Sequence, residues 1–115
     1  MLSWKNRFLL ALAASLVFAA FHDTAAQAAE KGLADKGEVL VRQNCSRCHA
    51  IGKEGQSPHP PAPPFRTLGQ RYPIDDLSES LAEGIVSGHP DMPIFVFSPT
   101  DVEAIIQYLK SIQEN

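Results

Sequence analysis

Cysteine is scarce in this chain of 115 residues: there are two, Cys45 and Cys48. That excludes a scaffold of several disulfides and a zinc site closed by two C-x-x-C pairs. Methionine is as scarce, with Met1 and Met92, and the one tryptophan is Trp4. The longest apolar run, Phe8 to Phe21, falls short of the roughly 20 residues that a membrane-spanning helix needs. No excess of positive charge is present, since 10 basic side chains face 13 acidic ones for a net charge of −3. Without a basic stripe, nucleic acid is not an expected partner. Alternating strand patterns and internal repeats are also missing, so sheet and solenoid architectures are not expected.

What is present begins with a leader. Lys5 and Arg7 precede the apolar run, and Ala26-Gln27-Ala28 follows it, the order of a secretory signal peptide with an A-x-A cleavage site. A leader over residues 1–28 is expected, cleaved after Ala28, with one domain at 29–115; an uncleaved anchor is the alternative. Cleavage removes Lys5, Arg7 and Asp23, taking the formal charge from −3 to −4. A domain this short buries little of its surface and often needs a disulfide, metal or cofactor to complete its core.

The two cysteines lie in Cys45-Ser46-Arg47-Cys48-His49. Cysteines three apart stand one turn apart on a helix, so both thiols can reach the same edge of a flat porphyrin while the next residue turns its imidazole to the iron. C-x-x-C-H is the specific form of covalent haem c attachment. Two other readings compete. A zinc site would need further ligands, and His59 and His89 have no familiar spacing from the cysteines. A thioredoxin-like redox pair normally follows a strand, and none precedes Cys45. Haem is favoured, and export fits it, because bacteria attach c-type haem outside the cytoplasm.

Once the leader is gone, Met92 is the only methionine. It lies in Gly88-His89-Pro90-Asp91-Met92-Pro93, where the prolines oppose a helix and can stiffen a loop that holds a thioether on iron. Methionine and histidine together are the ligand pair that raises the potential of cytochromes c. Met92 is therefore the expected sixth ligand, with His89 and His59 as rivals.

With these residues the chain resembles the class I, mitochondrial-type cytochromes c, especially their small bacterial periplasmic members. Gly37 is similar to the glycine of that family's first helix, although Val41 stands where an aromatic is common. The resemblance implies that Pro63, or its neighbour Pro64, offers its carbonyl to the haem histidine, and that Arg71 lies near a haem propionate. Ile105 to Lys110 is similar to the last helix, whose aromatic, here Tyr108, crosses near Gly37.

The residues read alone agree with an all-α fold: about three helices and irregular loops wrapped around one covalently bound haem. Leu33–Asn44 is helix-compatible and runs into the motif. Residues 51–64 hold five prolines and read as loop. Asp75 is the expected cap of a helix carrying Leu77, Leu81 and Ile85 and stopping near Gly88. Ser98-Pro99-Thr100-Asp101 starts the last helix, with Val102, Ile105, Ile106, Leu109 and Ile112 on one face. The expected function is a soluble, monomeric, periplasmic one-electron carrier, not an enzyme, that docks transiently with a redox donor and an acceptor. The alternatives are a cytochrome subunit of a larger oxidoreductase and a gas-binding haem protein with a labile sixth ligand.

Overall fold

The structure is a computed structural model that describes residues 4–84 and 91–114, with side chains from residue 24 onward. The chain divides into two compact units, Met1–Lys31 and Gly32–Asn115. The described residues are helical, with no strand among them: α1 spans Trp4–Asn44, α2 Leu77–Glu83 and α3 Pro99–Ser111, and short 3-10 turns cover Phe65–Gln70 and Ile74–Asp76.

Local chemistry explains the end of α1 and the start of α3. The last carbonyls of a helix lack intrahelical partners. At the end of α1 the Asn44 side chain donates to the Leu40 carbonyl at 2.7 Å, and the Ser46 hydroxyl donates to that of Arg42 at 2.6 Å. At α3, Ser98 is the N-cap and its oxygen accepts from the Asp101 amide, while its hydroxyl donates to the Asp101 carboxylate at 2.7 Å. Pro99 occupies the first turn, where its missing N–H costs nothing. This start matches the sequence expectation.

The middle helix differs from expectation. Ile74–Asp76 first form a 3-10 turn with Pro73 as its N-cap, so α2 starts at Leu77 with Asp76 as its N-cap. Asp75 instead pairs with Lys110 of α3 at 2.6 Å. The helix ends at Gly84, whose φ of +94° favours glycine and whose missing Cβ leaves room for Ile94, 2.9 Å away from where it would stand. The expected stop at Gly88, and Ile85 with it, lie outside the described residues.

The core of the second unit sits where α3 meets the end of α1. Val41 is fully buried, and Val102, Ile105, Ile106, Leu109 and Ile112 turn inward from α3 against it, Phe65, Leu68 and Ile74. Each fully buried aliphatic or phenyl side chain contributes about 1.5–3 kcal/mol. The helices approach most closely at Gly37: a methyl group there would strike the Ala104 carbonyl and stand 2.8 Å from the Tyr108 Cβ. Lys36 joins Asp101 at 2.7 Å beside this crossing. The helix crossing thereby brings Tyr108 under the segment that follows α1.

Candidate functional site

The end of α1 builds the C-x-x-C-H turn. The Cys45 amide still donates to the Val41 carbonyl at 2.8 Å, and the amides of Cys48 and His49 both turn back to the Cys45 carbonyl, at 3.1 and 2.9 Å. This winding puts Cys45, Cys48 and His49 on one cleft of about 330 Å³. Burial pushes the Cys45 thiol up to about 11, with Cys48 beside it adding to the rise. A thiol held protonated is a poor nucleophile, the reverse of what a thioredoxin-like pair needs. No three His, Cys, Asp or Glu side chains gather into a metal site among the described residues.

The His49 ring is oriented by the backbone. Its Nδ1 lies 2.8 Å from the Pro63 carbonyl oxygen. A carbonyl only accepts, so Nδ1 carries the proton and donates. That tautomer leaves Nε2 as the unprotonated nitrogen, the form a metal ion requires. The neighbouring Pro64 carbonyl accepts instead from the amide and hydroxyl of Thr67, at 3.2 and 2.9 Å. Phe65 packs against the imidazole with ring centroids 4.5 Å apart.

The loop between His49 and Phe65 is secured along its length. Ala50 N–H donates to the Ser57 hydroxyl at 3.0 Å, His59 N–H to the Cys48 carbonyl at 3.1 Å, and Phe65 N–H to the Ala50 carbonyl at 2.9 Å. From α3 the Tyr108 hydroxyl donates to the Ile51 carbonyl at 2.9 Å. Burial first, and Glu38 second, raise the tyrosine above its ordinary value, so the hydroxyl keeps its proton. Sequence reasoning missed these supports. The only local signal was an aromatic on the buried face of α3, and its hydroxyl partner stands 57 positions away in the chain.

A further part of the lining comes from the segment before α3. Asp91, Met92, Pro93 and Phe95 line the same cleft, with Met92 half-buried. Phe95 stacks near Phe97 at 5.8 Å, and the Phe97 amide donates to the Leu81 carbonyl at 3.0 Å. His59 also lines the cleft, but its backbone is bonded to Cys48, and its Nε2 lies 3.7 Å from the Asp91 carboxylate. His89 lies outside the described residues. Arg71 is exposed at the end of the first 3-10 turn and is not among the residues lining the cleft, whereas Arg47 is. A more voluminous groove of about 440 Å³ runs between α2 and α3, but no cysteine, histidine or methionine lines it.

The donor set suits haem c: two thiols, an oriented imidazole and a thioether line one cleft together with phenyl and proline side chains. Comparison with known proteins agrees. Residues 32–109 match a family model described as cytochrome c oxidase, cbb3-type, subunit III. The chain is 31% identical over 83 residues to a cytochrome c-553-like protein of Synechocystis, covering 71% of each chain. It is 30% identical over 80 residues to cytochrome c-552 of Bradyrhizobium diazoefficiens, covering 70% of this chain and 75% of that one. No solved structure matches significantly.

Proposed function

The chain belongs to the c-type cytochrome family described as cytochrome c oxidase, cbb3-type, subunit III, and binds haem c covalently through its C-x-x-C-H motif; from that premise we propose that it is a soluble one-electron carrier with His49 and Met92 as the axial iron ligands. The observation that carries the reading is the convergence of Cys45, Cys48, His49 and Met92 on one cleft. The bound haem supplies an iron that alternates between ferric and ferrous.

The chain's own residues do the rest. Cys45 and Cys48 hold the porphyrin edge. The Pro63 carbonyl orients His49 and makes its imidazole a stronger donor. Met92 would supply a thioether to the iron, and Phe65 and Phe95, which line the same cleft, would help exclude water. His59 is disfavoured as sixth ligand because its backbone is bonded to the attachment motif and its ring faces Asp91. With His49 and Met92 both bound, the iron would offer no vacancy to a substrate, which favours a carrier over an enzyme. A propionate contact is proposed for Arg71 on the family resemblance alone.

The proposal extends to location and partners. Residues 1–28 act as a cleaved secretory leader and the domain works in the periplasm, a reading supported by Lys5, Arg7, the apolar run and Ala26-Gln27-Ala28. Among the described residues, no helix is long and apolar enough to cross a membrane. Donor and acceptor dock transiently, through an interface at the small end of the usual range, steered by the protein's acidic charge.

A second reading, a cytochrome fixed to a larger oxidoreductase, is favoured by one observation. Ile94 and Val96 stand 64% and 69% exposed beside the cleft-lining Phe95, an apolar pair that a permanent neighbour would cover. Spectroelectrochemical titration and stopped-flow mixing with a soluble redox protein test the carrier reading. A single one-electron wave with salt-dependent bimolecular transfer supports it. Transfer that occurs only in a stable complex supports the subunit reading instead.

A further inference from the structure

We propose that Gln113, with Glu114 beside it, is a positioning residue for the haem histidine, acting through the backbone of Phe65 and the first 3-10 turn. This inference rests on the reading of His49 as an axial ligand.

The two residues lie just beyond α3 and grip one short segment from several sides. The Gln113 side chain accepts from the Gly69 amide through Oε1 at 2.7 Å, and its Nε2 donates to the Phe65 carbonyl at 2.9 Å and the Leu109 carbonyl at 2.7 Å. Both amide hydrogens and the amide oxygen are engaged, and each partner has the complementary polarity. The orientation of the amide is therefore dictated by its surroundings. Glu114 adds its own pair: its amide donates to the Arg66 carbonyl at 2.9 Å, and its carboxylate accepts from Arg66 Nε at 2.8 Å. Arg66 reaches on to the Gly55 carbonyl at 2.8 Å.

The gripped segment is the one that holds the imidazole. Phe65 packs on the His49 ring, its amide is bonded to the Ala50 carbonyl, and the carbonyl of Pro63, two residues before it, accepts the hydrogen bond from His49 Nδ1. The Phe65 amide and carbonyl are thus tied to opposite ends of the fold, the amide to the haem loop and the carbonyl to Gln113. Freeing the carbonyl side releases the wall that fixes the distance between His49 and Pro63. The bond from Nδ1 strengthens the imidazole as a donor. A loosened bond favours ferrous over ferric iron, so the reduction potential rises.

The test uses nitrogen-15-labelled holoprotein in the reduced state, following hydrogen exchange of the His49 ring N–H by NMR and the reduction potential by voltammetry. Gln113→Leu removes all three side-chain bonds. Gln113→Glu keeps the acceptor for Gly69 and loses only the donors, so it serves if the leucine variant folds poorly. Lys110→Gln, which breaks an ion pair at the end of the same helix without touching the gripped segment, is the control. Both Gln113 variants are expected to exchange the ring proton roughly five- to tenfold faster, as loss of a hydrogen bond worth about 1 kcal/mol implies, and to shift the potential upward. Unchanged exchange and potential in a folded variant overturns the proposal. So does an equal change in the control, or a rise shared by every core amide, which marks a loss of stability only. A wild-type ring N–H that exchanges freely overturns the bond to Pro63 and the grip with it, whereas a low-spin spectrum that survives His49→Ala overturns the axial reading itself and not the grip.

Discussion

The two walls of the haem cleft are held in different ways. The wall carrying His49 is tied from many directions: by Val41 and Cys45 within the motif turn, by Ser57 and Phe65 through Ala50, by Tyr108 through Ile51, and by Pro63 at the imidazole itself. The segment carrying Met92 is a turn followed by irregular chain, and its Asp91 carboxylate lies 3.7 Å from His59 Nε2. Among the described residues its backbone meets the core at Phe97, bonded to Leu81, while Ile94 and Val96 face outward. The His49 wall is held by hydrogen bonds within the polypeptide itself. The other gains most from a bond to iron. Substitutions on the two sides should therefore have different signatures.

His49→Ala carries the largest expected effect. It removes the one imidazole that the built wall exists to orient. Haem should stay attached through Cys45 and Cys48, but the low-spin absorption spectrum should be lost entirely. An unaltered spectrum would move the ligand role to another histidine and break the comparison. Met92→Ala comes next. It should leave haem attached and the His49 wall intact, lower the reduction potential sharply, open the iron to added ligands, and cost about 2 kcal/mol for a half-buried side chain, the low end for such truncations. Voltammetry and denaturant unfolding measure both. A potential that does not move would contradict Met92 as ligand.

Tyr108→Phe sharpens the comparison from the other side. It deletes one hydroxyl, strands the Ile51 carbonyl, and should destabilise the folded protein by about 1 kcal/mol without opening the iron. A carbon monoxide adduct in this variant would show that the His49 wall is not self-supporting. The smallest effect is that of acid on Asp101. Hydrogen bonds from Lys36 and Ser98 hold its carboxylate below the ordinary value of 3.8. Its stabilisation of the α3 start is therefore complete above that value and fades as pH falls through the lower folded one. Following α3 amide exchange between pH 5 and pH 2, about the span over which a depressed carboxylate titrates, should show loss of protection that Asp101→Asn already lacks at pH 5.

Features written in contiguous residues were legible in the sequence. Ser98-Pro99-Thr100-Asp101 caps α3 because the cap lies within four residues, and C-x-x-C-H carries its chemistry in its spacing. The apolar face of α3 was readable for the same reason. The long-range bonds that Gln113 and Glu114 make to the 3-10 turn at Phe65–Gln70 were not, because those residues lie far along the chain. Asp75 looked like a cap, yet Lys110 engages it from another helix. Gly84 follows the end of α2 with a positive φ, and Ile94 and Val96 leave no room for a side chain there, a packing fact with no local trace.

The central claim is that His49 and Met92 together close the iron. The most direct measurement is visible absorption of the reduced holoprotein with and without carbon monoxide. A low-spin c-type spectrum that does not change with the gas is the predicted result. A ready shift on adding the gas would mean an open or labile sixth position and would contradict the account.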